Sequence, residues 1–514
     1  MTSISRQVLL QNIIVAAAFI NGFVIMTIEL LGGRVLSPYF GTSVYVWGSI
    51  ITIFMLSLSL GYLWGGRLSS RNPNPDTFAL FFLAAAILSL PIIFVAEWTM
   101  TQVFLNIEDP RYGSLIACTL LYFLPIFFMG MVSPYSIRLL VSSEENSGRM
   151  AGLLYFVSTL GSALGTLMTS FYFVLWFEID TIMWGSIAAL LLCGAGVAIV
   201  HRIPSMKPLE FIVMRIEYVI RHWRQFGIML LALLGVQAQA AEVLHEERSV
   251  YRNIFVTEEG GRRCLLFNAV RGERNQTCMN TANPREFVFH YAKMTMAGLL
   301  VNPKPQNILI AGLGGGTLPT ALHEMYPEAN IEVLEIDQAV VNVARDFFHY
   351  VENEKVVTHV VDARVFIKRA GLAGRKFDFI VLDAFTGEYI PEHMLTQEFL
   401  EEVKEILTPE GVVVANTFST SALYDHESET YRAVFGDFFN MKMSGSGNRV
   451  IIAQQQPLPN AGVLRANAEP LHPVLEPYAV NILEFPARMS TRPDWDQSRR
   501  VLTDQFSPAN LLGQ

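Results

Sequence analysis

Six long apolar segments in the first half of the chain limit most strongly what this sequence can fold into. They cover residues 10–31, 44–64, 78–95, 115–131, 153–177 and 182–200, and each is long enough to cross a bilayer as a helix. The 514-residue chain is 52% hydrophobic and only 16% charged, which is too apolar for an average soluble protein. The sequence therefore predicts an N-terminal α-helical transmembrane bundle, residues 1–240, surrounded by membrane lipid. Two glycine pairs, Gly61 with Gly65 and Gly161 with Gly165, predict faces where helices pack closely.

A seventh apolar segment, residues 226–240, decides the predicted topology. Basic residues such as Arg67 and Arg138 fall on one side of the predicted spans, which places the N-terminus in the cytoplasm. With six spans the second half of the chain is cytoplasmic, and with seven it lies outside the cytoplasm. The segment follows Arg221 and ends in Ala-Gln-Ala, as an export signal does. We therefore expect a multi-pass protein of the cell (inner) membrane and favour seven spans.

Charge and cysteine usage exclude two classes of function. The net charge is −9, and no basic run interleaved with aromatic residues occurs in the second half, so we expect no nucleic-acid partner. Cys118 and Cys193 lie in apolar segments, whereas Cys264 and Cys278 lie in the second half. Their spacing does not match that of metal ligands, and we expect no metal site.

Residues 307–337 have the pattern of a strand, a glycine loop, a helix and a second strand. Glycines at such a turn let the backbone approach a ligand, and Glu335, at the end of the second strand, is placed to hold ribose hydroxyls. The loop is Gly-x-Gly-x-Gly, through Gly312, Gly314 and Gly316, rather than the Gly-x-Gly-x-x-Gly of dinucleotide sites. This difference favours an adenosyl sulfonium, such as S-adenosylmethionine or its decarboxylated form.

Three acidic residues, Glu335, Asp362 and Asp383, each follow a predicted parallel strand. The second and third of these strands cover residues 356–361 and 377–382, and a further strand covers 411–416. Ligands of open α/β sheets bind beyond the carboxyl ends of the strands, which makes these acids candidate site residues. The alternative for each acid is a role as turn former or N-cap of the following helix.

The second half of the chain divides into three predicted regions. Residues 241–283 form a small β-hairpin subdomain, residues 284–454 a Rossmann-like α/β domain of the S-adenosylmethionine-transferase type, and residues 455–514 an extension that we expect to be loop as far as 502–508.

The hairpin subdomain predicts a disulfide. Its expected strands are residues 249–257, 262–268 and 275–280, and a turn near Arg271 places Cys264 directly opposite Cys278. The alternative is that both cysteines are small buried hydrophobic residues. Because a disulfide persists only in an oxidising compartment, a bridge would favour the seven-span topology.

The motifs GLGGG, LEID, VVDA and VLDAFTGEYIPEH, in this order after a β-hairpin, resemble the spermidine synthase family of aminopropyltransferases and its membrane-fused branch. The resemblance covers roughly residues 250–416. It implies Asp383 as catalytic proton acceptor, Glu335 at the ribose, Asp362 and Ala363 at the adenine, Pro391 against the nucleoside and His290 near the polyamine. It also implies decarboxylated S-adenosylmethionine as cosubstrate, an amine or other nucleophile as acceptor, and no permanently bound cofactor. The oligomeric state is left open, with a homodimer as the alternative to a single chain.

The sequence departs from the family pattern on the acceptor side. Thr317 stands where the family has an acid after the third glycine, and Thr386 replaces a second acid. Arg252 replaces a glutamine, and Phe289 a tyrosine. The added positive charge of Arg252 and the absence of two acids, at Thr317 and Thr386, disfavour a cationic acceptor. We therefore expect aminopropyl transfer to putrescine to be weak.

Three functions are compatible with these observations. The first is a membrane-anchored aminopropyltransferase. The second is an S-adenosylmethionine-dependent methyltransferase on the same fold, which the loss of the acid at Thr317 would permit. The third is a transporter or signalling protein whose nucleoside-binding domain does no chemistry.

Overall fold

The computed structural model describes residues 2–70, 73–141, 147–202, 242–249, 251–267, 275–385 and 390–508. The predicted seventh segment, the turn near Arg271 and Thr386 lie outside these residues. The chain divides into two compact units. The helical unit comprises Met1–Leu36 and Tyr45–Gln239, and the C-terminal unit comprises Ser37–Val44 and Ala240–Gln514.

The helical unit confirms the six predicted apolar helices. Its described helices are Thr2–Phe40, Val44–Ser69, Pro75–Phe94, Ala96–Asn106, Pro110–Leu140, Ser147–Met168 and Ile179–Arg202, with a π-helical turn Thr169–Phe173 and a short helix Val174–Trp176 before the last. Among the described residues, six helical segments are long and apolar enough to cross a membrane, by length and composition. The short helix Ala96–Asn106 was not predicted from the sequence.

The two glycine pairs lie where helices of this unit touch. A Cβ atom on Gly61 would lie 2.3 Å from the carbonyl oxygen of Phe127, and one on Gly161 would lie 2.1 Å from that of Phe19. Both distances are too short for any side chain. The predicted close-packing faces are therefore confirmed, since the neighbouring backbones occupy the space that a side chain would need.

The C-terminal unit begins with a four-stranded antiparallel sheet. Its strands are β1 (Glu242–Arg248), β2 (Asn253–Glu259), β3 (Arg262–Phe267) and β4 (Thr277–Asn280), in that spatial order. Strand β1 was not predicted, and the strand expected at 249–257 begins later, at Asn253. The Ser249 hydroxyl accepts the amides of Tyr251 and Arg252, which turns the chain there.

The predicted pairing of Cys264 with Cys278 is confirmed. The two residues face each other across β3 and β4 and form a disulfide bond. Cys118 and Cys193 are free and buried.

A seven-stranded sheet follows and confirms the Rossmann-like fold. Its strands are β5 (Asn307–Ala311), β6 (Asn330–Glu335), β7 (Val356–Val360), β8 (Phe377–Leu382), β9 (Leu407–Phe418), β10 (Phe439–Lys442) and β11 (Asn448–Gln454). The spatial order is β10-β11-β9-β8-β5-β6-β7. The five strands β5 to β9 are parallel to one another, β11 is antiparallel to β9, and β10 is antiparallel to β11. From β5, the sheet extends through β6 and β7 to one side, and the chain then returns to add β8 on the other side of β5. The strand order therefore reverses between β5 and β8.

Both faces of this sheet are buried. On β5, Ile308 and Ile310 enter one hydrophobic cluster, whereas Leu309 and Ala311 enter the other. Such a strand reads as a continuous apolar run, which is why it was recognisable from the sequence. The α-helices of this unit are His290–Thr295, Thr317–Met325, Gln338–Phe348, Ala363–Leu372, Gln397–Ile406, Tyr424–Phe435, Ala461–Leu475 and Phe485–Arg488. Short 3₁₀ turns cover Met296–Leu300, Glu392–Met394, Glu476–Tyr478 and Ile482–Glu484.

The expectation that residues from 455 to about 501 form loop was wrong. Ala461–Leu475 is a helix whose N-cap, Asn460, accepts the amides of Gly462 and Val463. Its buried side chains, Leu464, Ala468, Leu471 and Leu475, recur at helical spacing. Pro470 and Pro473 lie inside the helix and hid this pattern in the sequence.

Candidate functional site

The candidate site lies at the carboxyl ends of β5 and β8, where the strand order reverses. Gly312 follows β5, Asp383 follows β8, and the Asp383 amide donates to the Ala311 carbonyl at 2.8 Å. Gly312 has a φ of +105°, and a Cβ there would lie 2.2 Å from the Asp383 carbonyl oxygen. Only glycine fits this position, so the sequence feature that predicted a ligand loop also brings that loop against the predicted catalytic acid.

Asp383 is held by an amide pair. The Asn416 side chain donates to Asp383 Oδ1 at 2.8 Å, and Asn448 donates to Asn416 Oδ1 at 3.0 Å. Burial raises the pKa of Asp383 to about 7, although the Asn416 hydrogen bond opposes this rise. The carboxyl group is therefore poised to accept a proton near neutral pH.

Two neighbours of Asp383 were not recognised as site residues from the sequence. Asn416 was treated only as a strand end, although a polar residue that closes the apolar run of β9 is a usable signal. Tyr291 lies close enough to Asp383 that the carboxylate adds to the effect of burial, and together they raise the pKa of the tyrosine well above its usual value. The Tyr291 hydroxyl donates to the carbonyl of Gln276 at 3.4 Å.

Glu335 is fixed by backbone amides at the end of β6. Its Oε2 accepts the Leu313 amide at 3.2 Å, and its Oε1 accepts the Asp337 amide at 3.1 Å. Burial raises the pKa of Glu335, and the charge of Arg252 and these two amides partly oppose the rise. The carboxylate therefore joins the glycine loop to the next strand and keeps further lone pairs for a ligand.

Arg252 lies beside these acids and is itself paired. Its side chain is only 9% exposed, with Nε 4.0 Å from Asp337 Oδ2. The guanidinium lies 4.2 Å from the ring centroid of Phe267 and donates to the Phe385 carbonyl at 3.4 Å. Arg252 thus links the hairpin subdomain to the loop after Asp383, and Asp337 offsets part of its charge.

Asp362 caps the helix that follows it, which is one of the two roles that the sequence left open for it. Its Oδ1 accepts the Arg364 and Val365 amides at 3.0 and 3.3 Å, which caps the helix Ala363–Leu372. The imidazole Nε2 of His393 lies 3.2 Å from Oδ2. Burial alone would raise the pKa of Asp362, but His393 and the two amides outweigh it and lower the pKa. Ala363 is buried next to this pair.

The remaining predicted residues that the structure describes lie at the starts of helical segments. Pro391 precedes the 3₁₀ turn Glu392–Met394, which contains His393. Thr317 is the first residue of the helix Thr317–Met325, directly after Gly316. His290 is exposed at the start of its helix, and Phe289 stacks against Tyr291. Thr386 lies outside the described residues.

The hairpin subdomain contacts the glycine loop through β4. The Gly315 amide donates to Thr277 Oγ1 at 3.1 Å. Gly314 has a φ of +55°, and a Cβ there would lie 2.6 Å from the same oxygen. The third glycine, Gly316, also has a left-handed φ and lies against the Tyr350 ring. All three predicted glycines therefore occupy conformations or contacts that disfavour a side chain.

Comparison with known proteins assigns this arrangement to a family. A model of the spermine/spermidine synthase domain matches residues 286–443. The polyamine aminopropyltransferase of Vibrio vulnificus is 50% identical over 289 residues, which are 56% of this chain and 97% of that protein. The human eEF1A lysine and N-terminal methyltransferase is 31% identical over 185 residues, 33% of this chain and 26% of that protein.

A solved structure, that of a probable spermidine synthase from Corynebacterium glutamicum, matches with 19% identity and a TM-score of 0.39, covering 51% of this chain and all of that one. The 50% sequence identity to the Vibrio vulnificus protein extends over 97% of that protein. The chain is a transferase and belongs to the polyamine aminopropyltransferase, or spermidine synthase, family.

Proposed function

We propose that the C-terminal unit moves an aminopropyl group from decarboxylated S-adenosylmethionine to an amine or another nucleophile, with Asp383 as general base. The observation that carries this proposal is the position of Asp383. Its carboxyl group follows β8, its main chain touches the glycine loop, and its pKa is raised to about 7. Asn416 binds one carboxyl oxygen, which leaves the other for the acceptor.

The reaction requires a base but no activation of the leaving group. The acceptor nitrogen loses a proton to Asp383 and attacks the aminopropyl carbon next to the sulfonium. A carbon–nitrogen bond forms, the carbon–sulfur bond breaks, and its electron pair neutralises the sulfur, so that methylthioadenosine leaves. A carboxylate within hydrogen-bond reach of the nitrogen both removes the proton and attracts a cationic acceptor.

The proposal extends to the nucleoside side of the site. Glu335, oriented by the Leu313 and Asp337 amides, binds the ribose hydroxyls, and Arg252 favours its ionised form. Asp362 with Ala363 binds the adenine, and Pro391 packs against the base. Gly312, Gly314 and Gly316 let the main chain approach the donor.

The acceptor side favours a nucleophile with less positive charge than a diamine. Thr317 and Thr386 carry no charge where the family pattern has acids, so fewer anions face the acceptor than that pattern provides. Arg252 adds a cation near the crevice, although its pairing with Asp337 reduces the range of its field. These features support a neutral or acidic acceptor.

The test is turnover by the purified full-length protein. Decarboxylated S-adenosylmethionine is supplied with putrescine, a neutral amine and an amino acid, and mass spectrometry detects methylthioadenosine and the aminopropylated product. Release of methylthioadenosine that depends on Asp383 supports the proposal. Nucleoside binding without release of any product would instead support a non-catalytic transport or signalling role.

Methyl transfer is the second candidate function. Thr317 removes the acid that would bind the donor ammonium, and the human relative named as a methyltransferase shares 31% identity over the matched part. The same assay with S-adenosylmethionine distinguishes the two reactions, because methyl transfer releases adenosylhomocysteine.

We also propose that the helical unit anchors the protein in the cell membrane with its N-terminus in the cytoplasm. The Cys264–Cys278 disulfide supports a location of the C-terminal unit outside the cytoplasm. That location requires one crossing more than the six candidate spans of the described residues. The apolar segment 226–240 would supply it.

A further inference from the structure

His393 is buried beside Asp362 and is not used by the chemistry proposed above. It is only 3% exposed, and its Nε2 lies 3.2 Å from Asp362 Oδ2 and 3.4 Å from Oδ1. The two backbone amides of the helix cap bind Oδ1 alone. Among the polar groups of the described residues, the imidazole is therefore the one that binds Oδ2, the oxygen left over from capping.

Oδ2 retains capacity for a ligand. An ionised carboxylate oxygen accepts about two hydrogen bonds, and His393 supplies one of them. Because Nε2 must carry a hydrogen to donate to Asp362, the ring is held with its other nitrogen, Nδ1, away from the carboxylate. Nδ1 is buried and has no partner among the described residues, so the imidazole gains its polar contact in this structure from Asp362.

The main chain of His393 is fixed as firmly as its ring. The His393 carbonyl accepts a hydrogen bond from the fully buried Arg364 guanidinium at 2.8 Å. Glu402 and Asp504 hold the same guanidinium at 2.8 and 2.6 Å. The Ser507 hydroxyl donates to the Glu392 carbonyl at 2.9 Å, so the C-terminal segment also fastens the turn that contains His393.

We propose that His393 is a positioning residue that presents Asp362 Oδ2 to the exocyclic amine of the donor's base, and so sets the preference for a 6-amino purine over a 6-oxo purine. This inference rests on the proposed function, which places the base of the donor at Asp362. A 6-oxo group is an acceptor, and two acceptors that face each other cannot form a hydrogen bond. Without His393, only the cap amides on Oδ1 would hold the carboxylate, so Oδ2 could turn about that oxygen and away from the mismatch. The His393 hydrogen bond to Oδ2 prevents this turn.

The test compares two nucleosides on the full-length protein in detergent. Calorimetry measures the Kd of 5′-methylthioadenosine and of 5′-methylthioinosine. We expect the wild type to prefer the adenine compound roughly 10- to 100-fold, the range for one hydrogen bond to a charged group. His393→Leu should reduce this ratio to about threefold or less, a loss of the discrimination that one such bond provides.

Two amide variants separate positioning from folding. The side-chain nitrogen of glutamine reaches the place of Nε2, so His393→Gln should restore most of the ratio, whereas His393→Asn, the matched control, places its amide nearer the main chain and should not. Asp362→Asn combined with His393→Leu should lower the ratio no further than Asp362→Asn alone.

The outcomes decide between the two proposals. If the wild type discriminates and His393→Leu and His393→Asn keep the full ratio while only their Tm falls, His393 is structural and the inference is wrong. If the wild type binds both nucleosides equally, Asp362 does not bind the amine and the inference is also wrong. If the wild type binds neither nucleoside, the proposed function itself fails.

Discussion

At the scale of single residues, Asp383 combines two properties that a substitution can separate. The folded protein raises its pKa to about 7 from an unfolded value of roughly 3.9, so the native state holds a proton more tightly than the unfolded state does. Stability therefore falls as pH rises from about 4 to about 7, because burial of the charged form is unfavourable. We predict that Asp383→Asn abolishes turnover, by 100-fold or more, and raises Tm at pH 8 but not at pH 4.

The measurements for Asp383 are kinetics, calorimetry and thermal denaturation across pH. The wild-type kcat/KM should rise with pH through a midpoint near 7, because only the ionised carboxylate accepts the proton. Binding of methylthioadenosine should change less than about tenfold, since the residue is a base rather than a nucleoside ligand. A variant that loses binding and turnover together would exclude this role.

A substitution of Glu335, unlike one of Asp383, should act mainly on nucleoside binding. We predict that Glu335→Gln weakens nucleoside binding by about 1.5–3 kcal/mol, the range for hydrogen bonds to a charged group. The glutamine must also turn its amide oxygen toward one backbone donor and leave Leu313 or Asp337 without a full partner. Calorimetry with methylthioadenosine measures the change, and an unaltered Kd would remove Glu335 from the site.

Arg252 is the residue that tests the acceptor. We predict that Arg252→Gln increases kcat/KM for putrescine relative to the wild type, because it removes a guanidinium from the edge of the crevice. The Kd of methylthioadenosine is measured as a control, because loss of the Arg252 charge also changes the environment of Glu335. Efficient spermidine formation by the unaltered protein would contradict the prediction.

At the scale of elements, the sequence predicted what local patterns encode and missed what distant contacts decide. Continuous apolar runs identified the buried strands, and the glycine loop identified the turn after β5. Strand β1 was missed because Glu242–Arg248 is largely charged and becomes a strand by pairing with β2. His393 and Asn416 were missed as site residues because only the fold brings them to Asp362 and Asp383.

The glycine faces of the helical unit give an element-scale prediction. Gly161→Ala should lower the stability of this unit by about 1–3 kcal/mol, because its Cβ would overlap the Phe19 carbonyl. Gly185→Ala is the matched control, since no atom of the described residues outside its own stretch of helix lies within 4 Å of the added Cβ, and alanine favours a helix. Thermal unfolding in detergent measures both, and equal Tm changes would show that Gly161 is not a packing position.

At the scale of the whole molecule, the disulfide predicts which side of the membrane the C-terminal unit occupies. The test uses a variant without Cys118 and Cys193 in intact spheroplasts. A membrane-impermeant thiol reagent should label this protein only after treatment with an impermeant reductant. Labelling without reductant would show that the bridge does not form in the cell. Labelling only after the membrane is broken would place the unit in the cytoplasm.

The order of strands in the seven-stranded sheet also has a consequence for biosynthesis. Strands β5 to β7, which carry the proposed donor site, are made before β8 inserts beside β5. Asp383, the proposed base, follows β8, and its partner Asn416 belongs to β9. The glycine loop and Asp383 therefore cannot come together until the ribosome has released both halves of the sheet. A stalled or truncated chain that ends before β9 can thus hold parts of the nucleoside site without being able to carry out the transfer.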